Sequence, residues 1–308
     1  MTTRWFGAPV QRVEDDRLLR GRGRFTDDLD EGALESVLVR SPYAHARIKS
    51  IDASAARAMP GVVAVYTAAD LPFGGVDLPL LIPHPNLTHG RTQRCLAADI
   101  VRYAGEAVAF VVAENRYLAE DAAEQVEVEY EQLPVVITPE ASARAEHLVH
   151  DGVPGNVAAE VLQEVGDVDS ALAAAPHRKH LSLRYERGAA NPMEARAVWA
   201  RWRQRKLTVY DSTQSPTSIR GGLAVLFGLR ETDVEVIAPD VGGGFGPKIM
   251  LFYPDELLVP FAAMQLGRPV KWTEDRQEHF TAVNQERGQV HEVEVGFDGE
   301  GRVLALSD

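Results

Sequence analysis

The sequence predicts an α+β chain organised as two successive units, on three observations. β-Branched apolar runs alternate with short helical patterns in the first half, and a stretch rich in Ala, Glu, Pro and Gly follows. A second series of strands and helices then begins. At 308 residues the length suits two domains with cores of their own, at roughly 150 residues each. The divisions read from the sequence are an N-terminal arm (1–16), a first domain (17–136), a linker (137–155) and a second domain (156–308).

In the first domain, Leu34 to Val39 and Val62 to Tyr66 read as strands, and between them Asp52 precedes an alanine-rich short helix ending at Pro60-Gly61. Ala107 to Ala113 is a third strand. Asn115 can cap a helix whose Leu118, Ala119, Ala122, Ala123 and Val126 fall on one face, and Val128 to Tyr130 returns as a strand. Leu71 to His89 carries Pro72, Pro79, Pro83 and Pro85 and is expected to be an irregular surface excursion.

After the linker, Gly166-Asp167-Val168-Asp169 opens a short helix through Ala175. His180 to Arg187 and Ala197 to Trp202 read as antiparallel strands, with Gln204-Arg205-Lys206 turning into Leu207 to Tyr210. Ser215-Pro216 reads as a cap followed by proline at the first helical position, with Ile219, Leu223 and Leu226 as the buried stripe and Gly228 as the stop. Gln214 thus stands just outside a helix N-terminus. Pro254 starts a further helix through Gln265.

Charge and cysteine usage exclude several classes. Lys plus Arg number 32 against 45 Asp plus Glu, a net charge of −13, which argues against nucleic acid or an anionic membrane as the main partner. Arg201, Arg203, Arg205 and Lys206 interleave with Trp199, Trp202 and Leu207 as in a hairpin with a polar outer face. The single cysteine, Cys95, can form no internal disulfide and cannot supply the four thiolates an iron–sulfur cluster normally needs. The N-terminus carries no long apolar run, and the reading is a cytoplasmic protein.

Gly242-Gly243-Gly244-Phe245-Gly246-Pro247-Lys248 follows the strand-like Val234 to Ala238 and leaves a backbone almost bare of side chains. It fits neither common phosphate loop. Pro247 occupies the third-glycine position of a dinucleotide fingerprint, and Lys248 is succeeded by Ile249 where a Walker motif has Ser or Thr. Taken alone, such a run is more often a turn than a cradle. His147 with His150, and His177 with His180, have metal-like spacing without a completing ligand, and Ser41 lacks a nucleophile elbow. Glu194 reads either as orienting a domain or as an ion-pair partner of Arg196 or another arginine.

Four motifs in order, Gly21-Arg22-Gly23-Arg24-Phe25-Thr26-Asp27-Asp28, Ser41 to Ile48, Asn191 to Arg196 and Asp211-Ser212-Thr213-Gln214-Ser215-Pro216, precede the glycine loop. Together with it they resemble the molybdopterin-binding large subunit of the xanthine oxidase family, from about Trp5 to the last residue, with the nearest likeness to the aerobic carbon monoxide dehydrogenase branch. The resemblance implies an aldehyde oxidase/xanthine dehydrogenase a/b hammerhead domain, followed by the first part of a mixed α/β molybdopterin-binding domain. It places Gln214, Gly243, Gly244, Phe245 and Gly246 at the cofactor, with Gln214 and Phe245 in the molybdenum surroundings. A neutral amide and bare peptide N–H groups suit the oxygens of such a centre.

It further implies molybdopterin with molybdenum, in bacteria usually the cytosine dinucleotide form, and oxidation of an aldehyde, an N-heterocycle or carbon monoxide with water as oxygen source. Electrons would pass to a [2Fe-2S] small subunit and an FAD-binding medium subunit, two heterotrimers forming the assembly. In the family the large subunit continues well past this length and carries its base glutamate there, so no catalytic residue is expected in these 308 residues, and a non-catalytic docking or cofactor-binding fragment is the alternative. Ile249 stands where purine-oxidising relatives place a substrate-contacting glutamate.

Overall fold

A computed structural model describes residues 7–80, 84–90, 92–249 and 252–308; Trp5, where the resemblance begins, and Pro83 of the proline-rich segment lie outside them. The first half runs α1 (Asp15–Leu19), β1 (Leu34–Arg40), β2 (Ala46–Asp52), α2 (Ser54–Ala58), β3 (Val62–Thr67), β4 (Ile100–Val101), β5 (Ala107–Ala113), α3 (Arg116–Ala123) and β6 (Glu127–Gln132). The second runs α4 (Pro139–Arg144), α5 (Val168–Ala174), β7 (His177–Gly188), β8 (Ala197–Arg203), β9 (Lys206–Asp211), α6 (Pro216–Phe227) and β10 (Val234–Ile237). It closes with α7 (Pro254–Leu266), β11 (Val270–Thr273), α8 (Arg276–Ala282), β12 (Glu286–Phe297) and β13 (Val303–Ser307).

The two sequence units meet in one sheet. Its order is β10-β9-β8-β11-β1-β5-β3, and the seam is the parallel pair β1–β11, with Leu34 opposite Val270. β5, flanked by β1 and β3, is buried along its whole length, which is why Ala107 to Ala113 is continuously apolar instead of alternating. α3 covers one face: Asn115 accepts from the Leu118 N–H, and Ala119 and Ala122 pack near Ala109, Val111 and Ala113. The main core on the other face joins Leu34, Phe110, Val198, Leu223, Leu258 and Trp272, so it draws on both halves instead of dividing into two separate cores. α7 is buried from Pro254 to Ala263, apolar on nearly all sides as a helix inside a core must be.

Several expectations change. Residues 41–45 form a turn, with the Ser41 hydroxyl accepting from Tyr43 N–H at 3.0 Å, but Ala46–Asp52 then forms an unanticipated strand pairing with β4 and β6. β7 and β8 do not pair with each other: β7 joins β12 in a second sheet, while β8 lies between β9 and β11. The described part of 71–89 is irregular, yet it is no surface excursion, because Leu71, Phe73 and Leu78 are buried in the main core. The linker contains α4, capped by the Thr138 side chain, and Asn156 bonds back to Ser142, His147 and Val149.

The β8–β9 hairpin turns on Gln204 and Arg205, both at positive φ (52° and 64°), the geometry that matches strand twist although neither is glycine or asparagine. Two of its basic residues are neutralised locally, Arg201 by Glu31 at 2.9 Å and Lys206 by Glu235 at 2.8 Å. Cys95 is fully buried in the core. No described helix is long and apolar enough to cross a membrane.

Candidate cofactor site

Strand direction brings three separate segments to one edge of the sheet. β9 and β10 are parallel, so Gln214, just past the end of β9, and the glycine loop, just past the end of β10, leave from the same side. β8 is antiparallel to β9 and therefore starts there, which carries Asn191 to Arg196 to the same edge; the Ser212 N–H donates to Ala197 O at 3.0 Å. Carboxyl ends of parallel strands are the usual place for ligands in such sheets.

The segments are tied together by named hydrogen bonds. Gln214 N–H donates to the Lys248 carbonyl at 3.0 Å, and the Thr213 hydroxyl donates to the same oxygen at 3.1 Å. Gly246 N–H donates to Gln214 Oε1 at 3.1 Å. That bond fixes the amide, leaving Nε2 as the end free to donate. Glycine is required where the loop passes close to other groups: a Cβ on Gly244 would lie 2.3 Å from Gln214 Oε1, and one on Gly242 would lie 2.5 Å from Glu194 Cβ. Gly243 (φ +101°) is flanked by Phe245 and Pro192, whereas Gly246 (φ +104°) faces open space. Phe245 is 73% exposed at φ 54°. Ser215 does not cap α6; its hydroxyl donates to Ser218 Oγ, and Thr213 Oγ1 accepts from Ser215 N–H instead.

Glu194 and Arg196 do not pair with each other. Glu194 Oε2 accepts from Gly242 N–H at 2.7 Å, Ser212 Oγ–H at 2.8 Å and Lys248 Nζ at 3.0 Å. Lys248, which the sequence reading treated only as the mismatch in a phosphate motif, has a fully buried side chain. Burial pulls its ammonium pKa down against the opposing pull of Glu194. Arg196 turns the other way. Its Nη1 donates to both Asp255 oxygens at 2.8 and 2.9 Å, its Nε and Nη2 bond Glu274, and its guanidinium stacks 3.7 Å from the centre of the Tyr253 ring. Glu274 also receives His279 Nδ1 at 2.8 Å; burial alone would raise its pKa, but the Arg196 charge and these bonds hold it at about 2. Between the clusters, Asp211 is buried, and desolvation followed by the nearby Asp255 charge raises its pKa to about 8.

The Gly21–Asp28 motif reaches the loop through Asp240, which accepts from Arg24 N–H at 2.6 Å and forms a two-pronged pair with Arg17 that holds its carboxyl at about 2. Ser41 to Ile48 lies apart. A cavity of about 690 Å³ lined by His45, Arg102, Glu106, His150, Tyr253 and Phe280 includes none of the glycine-loop residues. His177 stacks on Phe297 and His180 pairs with Glu292, and no cluster of three or more metal-ligating side chains occurs among the described residues.

Two family profiles match the chain. One described as the molybdopterin cofactor-binding domain matches residues 149–308, and one described as the aldehyde oxidase and xanthine dehydrogenase a/b hammerhead domain matches residues 20–134. The chain belongs to this molybdopterin-binding family. Among its relatives, the nicotine 6-hydroxylase large subunit of Paenarthrobacter nicotinovorans is 40% identical over 99% of this chain and 38% of its own length. The carbon monoxide dehydrogenase large chain of Afipia carboxidovorans is 37% identical over 97% of this chain and 38% of its own. Quinoline 2-oxidoreductase from Pseudomonas putida 86 superposes with a TM-score of 0.88 at 39% identity, covering 97% of this chain and 38% of that one. The chain thus spans less than two fifths of the length of these members of the molybdopterin-binding family.

Proposed function

We propose that this chain supplies one wall of the molybdopterin site in a hydroxylase that oxidises an aldehyde, an N-heterocycle or carbon monoxide with oxygen from water. The assembly proposed passes electrons to a [2Fe-2S] subunit and an FAD-binding subunit, as a cytoplasmic pair of heterotrimers, with the pterin in its cytosine dinucleotide form. The observation that carries the reading is the meeting of the Gln214 amide with the backbone of Gly244 and Gly246 at one sheet edge.

These residues fit an oxygen-rich group. Gln214 Nε2 and the loop amides not already bonded to Glu194 or Gln214 are neutral donors that stay protonated across the working pH range, and the backbone at Gly246 is open to close approach. When bound, the molybdenum centre would supply the two-electron oxidation. Gln214 then orients and stabilises charge on that group, Gly243 and Gly244 give the chain the room to hold Gln214 and Phe245 in place, and Phe245 with Gly246 presents the loop. Ile249, at the position where the resemblance puts a glutamate in purine oxidisers, supports a substrate outside the purines.

The second reading is a cofactor-binding or docking chain without turnover. One experiment separates them: molybdenum and pterin analysis of the complete native complex, with product analysis in ¹⁸O-labelled water. Stoichiometric molybdenum and water-derived label in the product is the expected result. Molybdenum without turnover selects the second reading, and a complex free of molybdenum and pterin rejects both.

A further inference from the structure

We infer that Glu194 and Lys248 are positioning residues, a buried clamp that holds the glycine loop in its ligand-facing shape; this deepens, and rests on, the cofactor reading above. The loop begins at Gly242 and ends at Lys248, and a single oxygen, Glu194 Oε2, accepts from both ends, from the Gly242 N–H at 2.7 Å and from Lys248 Nζ at 3.0 Å. Ser212 completes a closed triangle. Its hydroxyl donates to Glu194 Oε2 at 2.8 Å and accepts from Lys248 Nζ at 2.7 Å.

The clamp reaches Gln214 through the same lysine. The Lys248 carbonyl accepts from Gln214 N–H and from the Thr213 hydroxyl, so its side chain fixes the mouth of the loop while its backbone fixes the residue that faces the loop. Gly246 N–H on Gln214 Oε1 then sets the amide. Gly242 has no room for a side chain because Glu194 is packed directly against it.

A merely structural ion pair is a poor account of this arrangement. Buried pairs cost desolvation and are often replaceable by apolar residues without loss of stability. A structural carboxylate also satisfies both its oxygens, as Glu274 does. Glu194 does not: its Oε1 is buried and has no hydrogen-bond partner among the described residues. The carboxylate is committed on one oxygen to the loop, and its cost is not offset on the other.

The test uses the complete complex carrying Glu194→Gln together with Lys248→Met, which removes both charges at nearly constant volume. Hydrogen exchange of residues 242–249 in the cofactor-free form, molybdenum and pterin content, and kcat and KM per molybdenum are measured beside thermal unfolding. Breaking charged hydrogen bonds to the loop should speed its exchange about tenfold or more, with exchange in β1 and β5 unchanged. Cofactor content should fall about tenfold, and the loaded fraction should lose kcat with KM retained. If the double variant does not fold, Ser212→Ala decides, since it leaves the charge pair intact and should speed loop exchange about threefold. Wild-type exchange and cofactor content in whichever of the two variants folds would overturn the clamp. A wild-type complex without molybdenum would instead sink the cofactor reading, and loop exchange would still show whether the clamp exists.

Discussion

Glu194 and Arg196 stand on one short segment, and each anchors a buried charge cluster, but the clusters are built to different ends. Around Arg196 every charge is answered: Asp255 takes two bonds, Glu274 takes bonds on both oxygens, and the guanidinium lies between Tyr253 and Trp272. Around Glu194 one oxygen gathers three donors and the other has none among the described residues, while beyond the clamp Phe245 and Gly246 face solvent. A closed cluster holds structure. A half-closed cluster with an open backbone beside it holds a place for something else.

The contrast breaks first if Arg196 is dispensable. Arg196→Met leaves Asp255 and Glu274 buried without their cation and should cost about 3–5 kcal/mol, read as a lower midpoint in urea unfolding. A loss below about 1 kcal/mol would mean that these charges do not form a closed, buried cluster.

Acid should attack the same cluster. Glu274 has a folded-state pKa of about 2, below the ordinary glutamate value of 4.5, so its contribution to stability is complete above pH 4.5 and is lost as pH falls toward 2. The shift corresponds to about 3 kcal/mol. Unfolding measured from pH 6 to pH 2 should therefore be flatter for Glu274→Gln than for the parent, although the variant starts out less stable.

On the open side the expected loss is in rate. In the complete complex, Gln214→Ala should lower kcat about 100-fold per molybdenum, with little change in KM, as removal of one preorganised donor does. Gln214→Glu should be worse, since an ionised carboxylate cannot donate and sets like charge against the oxygens it faces. Turnover per molybdenum close to the parent in Gln214→Ala would leave this residue an ordinary helix-entrance glutamine. The smallest effect belongs to Phe245→Ala, which should change stability by less than about 0.5 kcal/mol because the ring is exposed. A larger cost in thermal unfolding would show the loop to be packed closed.

Local chemistry was legible in the sequence, and long-range pairing was not. The caps Asn115 and Asp167, the stop at Gly228 and the continuous apolar run of β5 each announce themselves within a few residues. Gln214 and the glycine loop were found by motif, and their meeting follows from the parallel pairing of β9 and β10. Lys248 was missed because a single lysine after a glycine run looks solvated; only the fold brings Glu194, 54 residues away, against it. β2 was hidden by its own sequence, since Arg47, Lys49 and Ser50 break the apolar pattern of a strand that has one face in water. The shared sheet left no local trace at all.

That shared sheet has a consequence for how the chain is made. β1 can pair with β5 as soon as residue 113 has emerged from the ribosome, but its other edge waits for β11, which starts at residue 270. The interval, 270 − 113, is 157 residues, or about 8–30 s of synthesis at ordinary rates. Throughout it the nascent chain carries a bare edge running from Leu34 to Ser36, open to any neighbouring strand. The parallel seam, which waits for the last strand of that seven-stranded sheet and is reinforced by Lys271 on Glu35 at 3.1 Å, is where misassembly during expression should concentrate.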